Sequence, residues 1–296
     1  MKTPIFKGSS VAMVTPYLEN GVDYAKLAEL IDLQIAGGTS AVVINGTTGE
    51  CSTQSIDEHI QVVDFAVKHA AGRIKVIAGS GSNDTNSAVI MGTAAEKSGA
   101  DGLLCVTPYY NKATQKGLIA HFTHIADRVN IPIMVYHVPS RTGVTIAAST
   151  YVELSKHPMI NGVKEASKDV NLILQTRAAV GDDLYFWSGD DIFTVPCMSI
   201  GGVGVVSVLG NFLPRVMTDI CDLCLKKDFD AATALTLKYA PLMDAMFMEV
   251  NPIPVKTTMN LLGMNVGRFR LPMIEMEPQN EEKLKKILIQ SGLELK

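Results

Sequence analysis

Eight short runs rich in β-branched and other apolar residues recur along the first three quarters of this chain, with segments of helical periodicity between them. The runs are Val11–Val14, Ala41–Ile44, Lys75–Ala78, Gly102–Val106, Ile131–Tyr136, Ile160–Lys164, Leu184–Trp187 and Val203–Val208. The intervening segments include Asp23–Ile35, Ser55–His69, Asn83–Lys97 and Gly117–Val129, and several open on good caps: Asp23, Ser55 with Glu58 three residues on, and Asp84. Strands alternating with helices specify βαβ units and a parallel sheet. A count of eight, spaced by roughly 20 to 35 residues, favours a closed (β/α)8 TIM barrel over an open doubly wound sheet. No Gly-x-Gly-x-x-Gly follows the first run, and Gly201-Gly202-Val203-Gly204 leads into a strand instead of opening a helix. After Val208 the strands stop, and Asn211–Leu225, Phe229–Phe247, Ile253–Leu262 and Glu281–Ser291 all read as helices. We therefore expect a barrel over residues 1–226, closed by a helix near Leu213–Lys226, and a C-terminal α-helical extension over 227–296.

Composition agrees with a large buried core: 47% of the 296 residues are hydrophobic and only 19% charged, which excludes a disordered or fibrous chain. A net charge of -4 without any basic block argues against nucleic-acid binding. The start, Met1 to Lys7, lacks the apolar stretch of a signal peptide, and no apolar run is long enough to span a bilayer, so a cytoplasmic protein is expected. Five scattered cysteines fit reduced thiols. Cys221 and Cys224 match a C-x-x-C spacing but fall inside a helical stretch, so they read as core packing rather than a redox or zinc site.

In such barrels the chemistry sits where strands end and βα loops begin. The most unusual residue there is Lys164, a cation inside the apolar run Ile160–Ala166. Either its stem snorkels to water, or desolvation lowers its pKa and yields a neutral amine able to attack a carbonyl. Strand two ends in Asn45-Gly46-Thr47-Thr48-Gly49-Glu50, where two glycines and two hydroxyls suit either a small anion or simply a tight turn. Strand four ends in Thr107-Pro108-Tyr109-Tyr110-Asn111, whose paired tyrosines read first as interface anchors. Strand five ends in Tyr136 to Gly143. Tyr136 is placed either for acid–base work or as a barrel-core aromatic, and Arg141 can grip a carboxylate in its planar fork. In Ser188-Gly189-Asp190-Asp191 the two aspartates read as caps of a helix beginning at Ile192 rather than as metal ligands. His59, His121 and His124 fall on helices, so no metal site is supported.

Taken together, these six spaced motifs resemble the dihydrodipicolinate synthase branch of the pyruvate-dependent lyase superfamily that also contains N-acetylneuraminate lyase, over essentially the whole chain. The resemblance implies that Lys164 forms an imine with pyruvate, that Thr47 and Thr48 hold the pyruvate carboxylate and relay protons, and that Tyr136 is the central acid–base group. It further implies that Tyr110 reaches into a neighbouring subunit's site, that Arg141 binds the carboxylate of L-aspartate 4-semialdehyde, and that the backbone carbonyl of Val206 faces the lysine. Gly189 is counted with the substrate-binding positions. Arg141 is the residue that favours this branch over the sugar-acid lyases. The reaction so implied is a condensation of the two substrates on the route to diaminopimelate and lysine, with no metal or organic cofactor. The partners implied are further copies of the chain, at least a dimer and on the family pattern a dimer of dimers. Rival readings are another Schiff-base aldolase of the same fold and a non-catalytic keto-acid sensor.

Two departures from the family pattern stand out. His137 occupies a position that is usually asparagine. At the site where lysine feeds back in some members, the matching residues are Cys51, Ser52, Ile56, His59, Asn83, Ser87 and Tyr109. Of these, Ile56 replaces a histidine and Ser87 a glutamate, which removes the charge that would pair with the effector's ammonium.

Overall fold

A computed structural model of the protein describes residues 2–296. Eight parallel strands close into a barrel: β1 (Gly8–Ala12), β2 (Ala41–Ile44), β3 (Lys75–Gly79), β4 (Gly102–Val106), β5 (Ile133–His137), β6 (Ile160–Glu165), β7 (Tyr185–Ser188) and β8 (Gly204–Ser207). The ring closes because β1 pairs with β8 on one side and β2 on the other, with Ser10 opposite both Val206 and Ala41. Helices α1 (Tyr24–Ala36), α2 (Ile56–Ala70), α3 (Thr85–Ser98), α4 (Gln115–Ala126), α5 (Ala148–Ser155), α6 (Val170–Val180), α7 (Thr194–Ser199) and α8 (Pro214–Leu225) follow the strands in turn. The expected caps form: Asp23, Ser55 and Asp84 each accept from backbone N–H groups of their helix's first turn.

Strand alternation divides the core in two. Inside the barrel lie Ala12, Ala41, Val43, Ile77, Leu104, Met134, Tyr136, Trp187 and Val206, with Ile5 and Phe6 packed against them. The outward residues, such as Val42, Ile44, Val135 and Val163, pack under the helices. The first strand lies three residues earlier than its apolar run, because Ser9 and Ser10 are strand residues. Their hydroxyls are satisfied by Thr218 Oγ1 at 3.0 Å and the Val205 carbonyl at 2.9 Å, so polar side chains sit in a strand buried on both faces. The fourth helix likewise starts at Gln115 instead of Gly117, capped by Thr114. A small antiparallel ribbon, Tyr17–Leu18 with Gly21–Val22, was not expected from the sequence. Cys221 and Cys224 are buried free thiols on α8, as their helical spacing indicated.

Beyond the barrel come α9 (Phe229–Ala245), α10 (Ile253–Leu261) and α11 (Pro278–Gln290). Helix α9 packs on α7 and α8, and α11 packs on α9 and α10. Among the described residues no helix is long and apolar enough to cross a membrane.

Candidate active site

The C-terminal ends of the strands open into a cavity of about 430 Å³. Its wall includes Thr47 and Thr48 after β2, Tyr136 from β5, Arg141 from the following loop, Lys164 from β6, Gly189 after β7 and Val208 after β8. Register explains the central pair. Tyr136 lies opposite Lys164, and Tyr136 belongs to the interior layer, so both side chains project inward from one row of the barrel. Lys164 Nζ stands 4.2 Å from the centre of the Tyr136 ring.

Lys164 is only 5% exposed. Burial is the main reason its pKa falls from 10.5 to about 7, with Arg141 pushing the same way and Asp191 and Asp190 opposing. A large share of the amine is therefore neutral near pH 7, the form that can attack a carbonyl. Burial also raises the Tyr136 phenol, while Arg141 and the Thr47 hydroxyl favour its ionised form. Gly189 must lack a side chain, because a Cβ there would lie 2.8 Å from the Ala166 Cβ and 3.2 Å from the Lys164 Cε.

Four residues of the wall come from the C-terminal extension, where the sequence carried no motif. Met243 and Asp244 of α9, together with Phe247 and Asn251 just beyond it, cover the cavity from the C-terminal extension. Asn251 Nδ2 donates to the Thr48 hydroxyl at 2.9 Å, and its main-chain carbonyl accepts from Arg141 Nη2 at 3.3 Å. The only sequence signal was a pair of closely spaced prolines directly after Asn251, in Asn251-Pro252-Ile253-Pro254.

The aspartates after β7 are not helix caps. Helix α7 starts at Thr194 without a side-chain cap. Asp191 is buried, accepts from the N–H groups of Val208 and Leu209 at 3.0 and 2.8 Å, and is pushed up to about 6 by burial. It thus ties β8 to the loop after β7. Asp190 pairs with Lys168 at 2.7 Å.

Tyr110 is not brought to the cavity by its own chain. It sits in left-handed backbone at φ 70° and is 90% exposed. Val206 belongs to the barrel interior with Tyr136, and the cavity wall on that strand's exit is Val208.

A second cavity, of about 180 Å³, gathers Cys51, Ser52, Ile56, His59, Ser87 and Tyr109, with Gln54, Ser82 and Met91. Asn83 stands beside it, its carbonyl taken by the Asn111 amide at 2.9 Å. His59 Nε2 donates to the Gly79 carbonyl at 2.6 Å, and burial disfavours its charged form. Ser87 turns away, donating to Asp84 at 2.5 Å. None of the residues named on this wall is a carboxylate.

The structure is a TIM barrel whose mouth gathers a desolvated lysine amine, a tyrosine against it and a guanidinium on the same wall. The chain belongs to the Dihydrodipicolinate synthetase family, whose model matches residues 5–291. It is 50% identical over 291 residues to the 4-hydroxy-tetrahydrodipicolinate synthase of Thermoanaerobacter sp. (strain X514), covering 98% of both chains. Its fold matches dihydrodipicolinate synthase from Aquifex aeolicus with a TM-score of 0.96 at 44% identity, covering 98% of this chain and 100% of that one. It also matches the chloride-inhibited dihydrodipicolinate synthase from Acinetobacter baumannii complexed with pyruvate, with a TM-score of 0.94 at 40% identity, covering 97% and 99% of the two chains.

Proposed function

We propose that this chain is a 4-hydroxy-tetrahydrodipicolinate synthase, condensing pyruvate with L-aspartate 4-semialdehyde. The observation that carries the reading is the buried Lys164 amine, its pKa lowered to about 7, held against Tyr136 in a cavity that also presents Thr47, Thr48 and Arg141. Neutral Lys164 attacks the keto carbon of pyruvate, and loss of water leaves an iminium whose positive charge acidifies the methyl group. Tyr136 helps move that proton, passing its own phenolic proton on toward Thr47, and the enamine forms. The enamine carbon then attacks the aldehyde of the second substrate, whose carboxylate pairs with Arg141 in a fork-to-fork contact, and the alkoxide so formed takes its proton through Tyr136 and Thr47. Thr48, held by Asn251, is positioned for the pyruvate carboxylate, and Thr47 lies within the field of the Tyr136 phenol. Transimination by the substrate's own amine releases Lys164 and closes the ring.

Tyr110 completes the proton relay in this scheme only when a second copy of the chain supplies it. Its exposed position on a loop fits that role, and a dimer of such dimers fits the family pattern.

The test is a coupled assay with both substrates, combined with borohydride trapping of pyruvate. Arg141→Leu should lower kcat/KM for aspartate semialdehyde by about 100-fold or more, on the scale of a lost charge-assisted pair. Trapping of pyruvate on Lys164 should persist. A native enzyme that traps pyruvate yet leaves aspartate semialdehyde unconsumed would instead be an aldolase for another aldehyde.

The second cavity leads to a further expectation. An ammonium-bearing effector would enter a pocket where His59 is held neutral and Ser87 stands in place of a carboxylate. No carboxylate lines that wall, and Asp84 behind it is already taken up by the Ser87 hydroxyl and N–H, so the desolvation of the ammonium is poorly compensated. Added L-lysine at 1 mM, a concentration chosen to be roughly where a 4 kcal/mol site half-fills, should leave turnover within experimental scatter. Inhibition at sub-millimolar lysine would overturn this.

A further inference from the structure

On the outer face of the barrel, directly behind the Tyr136–Lys164 row, lies a second pair that the reaction does not use. His137 stands opposite Glu165 in the β5–β6 register, one residue on from Tyr136 and Lys164. Both side chains are buried, at 0% and 1% exposure. His137 Nδ1 lies 2.9 Å from Glu165 Oε2 and 3.1 Å from Oε1, and Glu165 Oε1 also accepts from the Ser167 N–H at 2.6 Å. On the far side of the ring, the Ile146 N–H donates to His137 Nε2 at 3.2 Å. The Tyr151 ring packs edge-on against the imidazole, with centroids 6.2 Å apart.

These bonds fix the tautomer. Nε2 faces a backbone donor and must present its lone pair, so Nδ1 carries the proton and gives it to Glu165. The chain of cause runs outward: the carboxylate sets the tautomer, and the tautomer creates an acceptor for Ile146. Ile146 ends the loop after β5, which begins with the single helical turn Pro139–Thr142 and so carries Arg141. The main chain adds a second tie, since the His137 carbonyl accepts from the Ala166 N–H at 2.9 Å.

We propose that His137 and Glu165 form a positioning dyad, in which Glu165 orients the imidazole and the imidazole anchors the loop that places Arg141 for the second substrate. The proposal rests on the function assigned above, with Arg141 as the carboxylate grip. Neither residue touches substrate, and the dyad acts on the Arg141 side of the site more than on imine formation. Asparagine, the usual residue here in the resemblance noted above, offers a donor close to the place of Nδ1 but reaches no further. It can keep Glu165 and must drop Ile146. Glutamine extends an acceptor to the level of Nε2 and can keep Ile146.

The experiment compares native enzyme, His137→Asn and His137→Gln by steady-state kinetics in both substrates, borohydride trapping of pyruvate and thermal unfolding. Loss of one buried acceptor for the loop should raise KM for aspartate semialdehyde about five- to tenfold in His137→Asn. KM for pyruvate and the trapping yield should stay within about twofold of native, as expected when a single distant hydrogen bond changes. His137→Gln should restore KM for aspartate semialdehyde toward native. Equal changes in both KM values, no change in either, or a drop in unfolding temperature without a split between the substrates would overturn the proposal. If native enzyme fails to consume aspartate semialdehyde, the functional reading falls instead, and the two failures are distinguishable.

Discussion

Replacing Lys164 with methionine should yield a protein that has lost turnover and unfolds at a higher temperature than the native enzyme. The loss follows from chemistry, since a thioether cannot form an imine and the cavity's other lysine, Lys168, is exposed and paired with Asp190 at 2.7 Å. Turnover should fall by at least about a thousandfold, the scale set by removing a covalent nucleophile, and borohydride should no longer trap pyruvate. The gain in stability follows from the same burial that makes the amine reactive. Unfolded, the lysine holds its proton up to its ordinary pKa of 10.5; folded, it releases it at about 7. Between those values the unfolded chain binds more protons, so this group makes stability rise with pH across that window and costs stability below it. At pH 7 the cost is on the order of a few kcal/mol. Methionine has nearly the same length and no charge to desolvate, so it removes the cost without opening a void. Asp191, pushed up to about 6 by its own burial, loses a favourable neighbour in the variant and trims the gain. Unfolding followed at several pH values reads the outcome: the variant's advantage should be largest near pH 7 and shrink toward pH 10. A variant less stable than native at pH 7 would show that Lys164 stabilises the fold. That result would contradict a strained, reactive amine.

The parts of this molecule legible in the sequence are those whose signal is local. Strand β6 could be read because Ile160, Val163 and Ala166 recur in a short run at strand spacing from its neighbours, and Lys164 beside Val163 was conspicuous there. Arg141 could be read because a guanidinium two residues after a proline, at a strand exit, has few structural uses. Caps at Asp23, Ser55 and Asp84 rest on bonds made within three residues. What stayed hidden depends on residues distant in the chain. Asn251 joins the site only because the extension folds back 203 residues to meet Thr48. Asp191 looked like a helix cap because Asp-Asp before an apolar run is a common cap pattern. The fold instead turns it inward to hold the backbone of Val208 and Leu209. His137 could be flagged as unusual, but its tautomer needed Glu165 from one strand and Ile146 from the next loop. Tyr110 marks a further limit. A single chain leaves its ring in solvent, and its proposed work lies between copies.

Lys256→Met should destabilise the protein by about 3 to 5 kcal/mol, the range for stripping one partner from a buried ion pair. Lys256 and Glu50 meet at 2.8 Å with side chains 0% and 1% exposed. The lysine spends all three of its N–H bonds, on Glu50, on the Thr15 carbonyl at 3.2 Å and on the Arg268 carbonyl at 2.6 Å. Its ammonium also lies between the Tyr17 and Phe269 rings, at 4.9 and 5.1 Å. Burial lowers its pKa while Glu50 raises it, so the carboxylate is what makes a charged lysine tolerable there. Methionine would leave Glu50 buried with the Arg270 N–H, at 3.0 Å, as a remaining donor to its carboxylate. The consequence reaches the cavity. Glu50 sits in left-handed backbone at φ 56° and ends the turn Thr47–Gly49, its N–H bonded to the Thr47 carbonyl at 3.0 Å. A carboxylate seeking water would pull on that turn, so KM for pyruvate should rise along with the loss of stability. Adding Glu50→Gln to Lys256→Met separates charge from packing, because the pair is then neutral and nearly the same size. The double variant should recover more than half of the lost stability, by the coupling expected of partners in direct contact. Should the double variant be as unstable as Lys256→Met alone, the three-way hydrogen bonding of the lysine would be holding the extension to the barrel. The ion pair would then be incidental to the placement of Thr47 and Thr48.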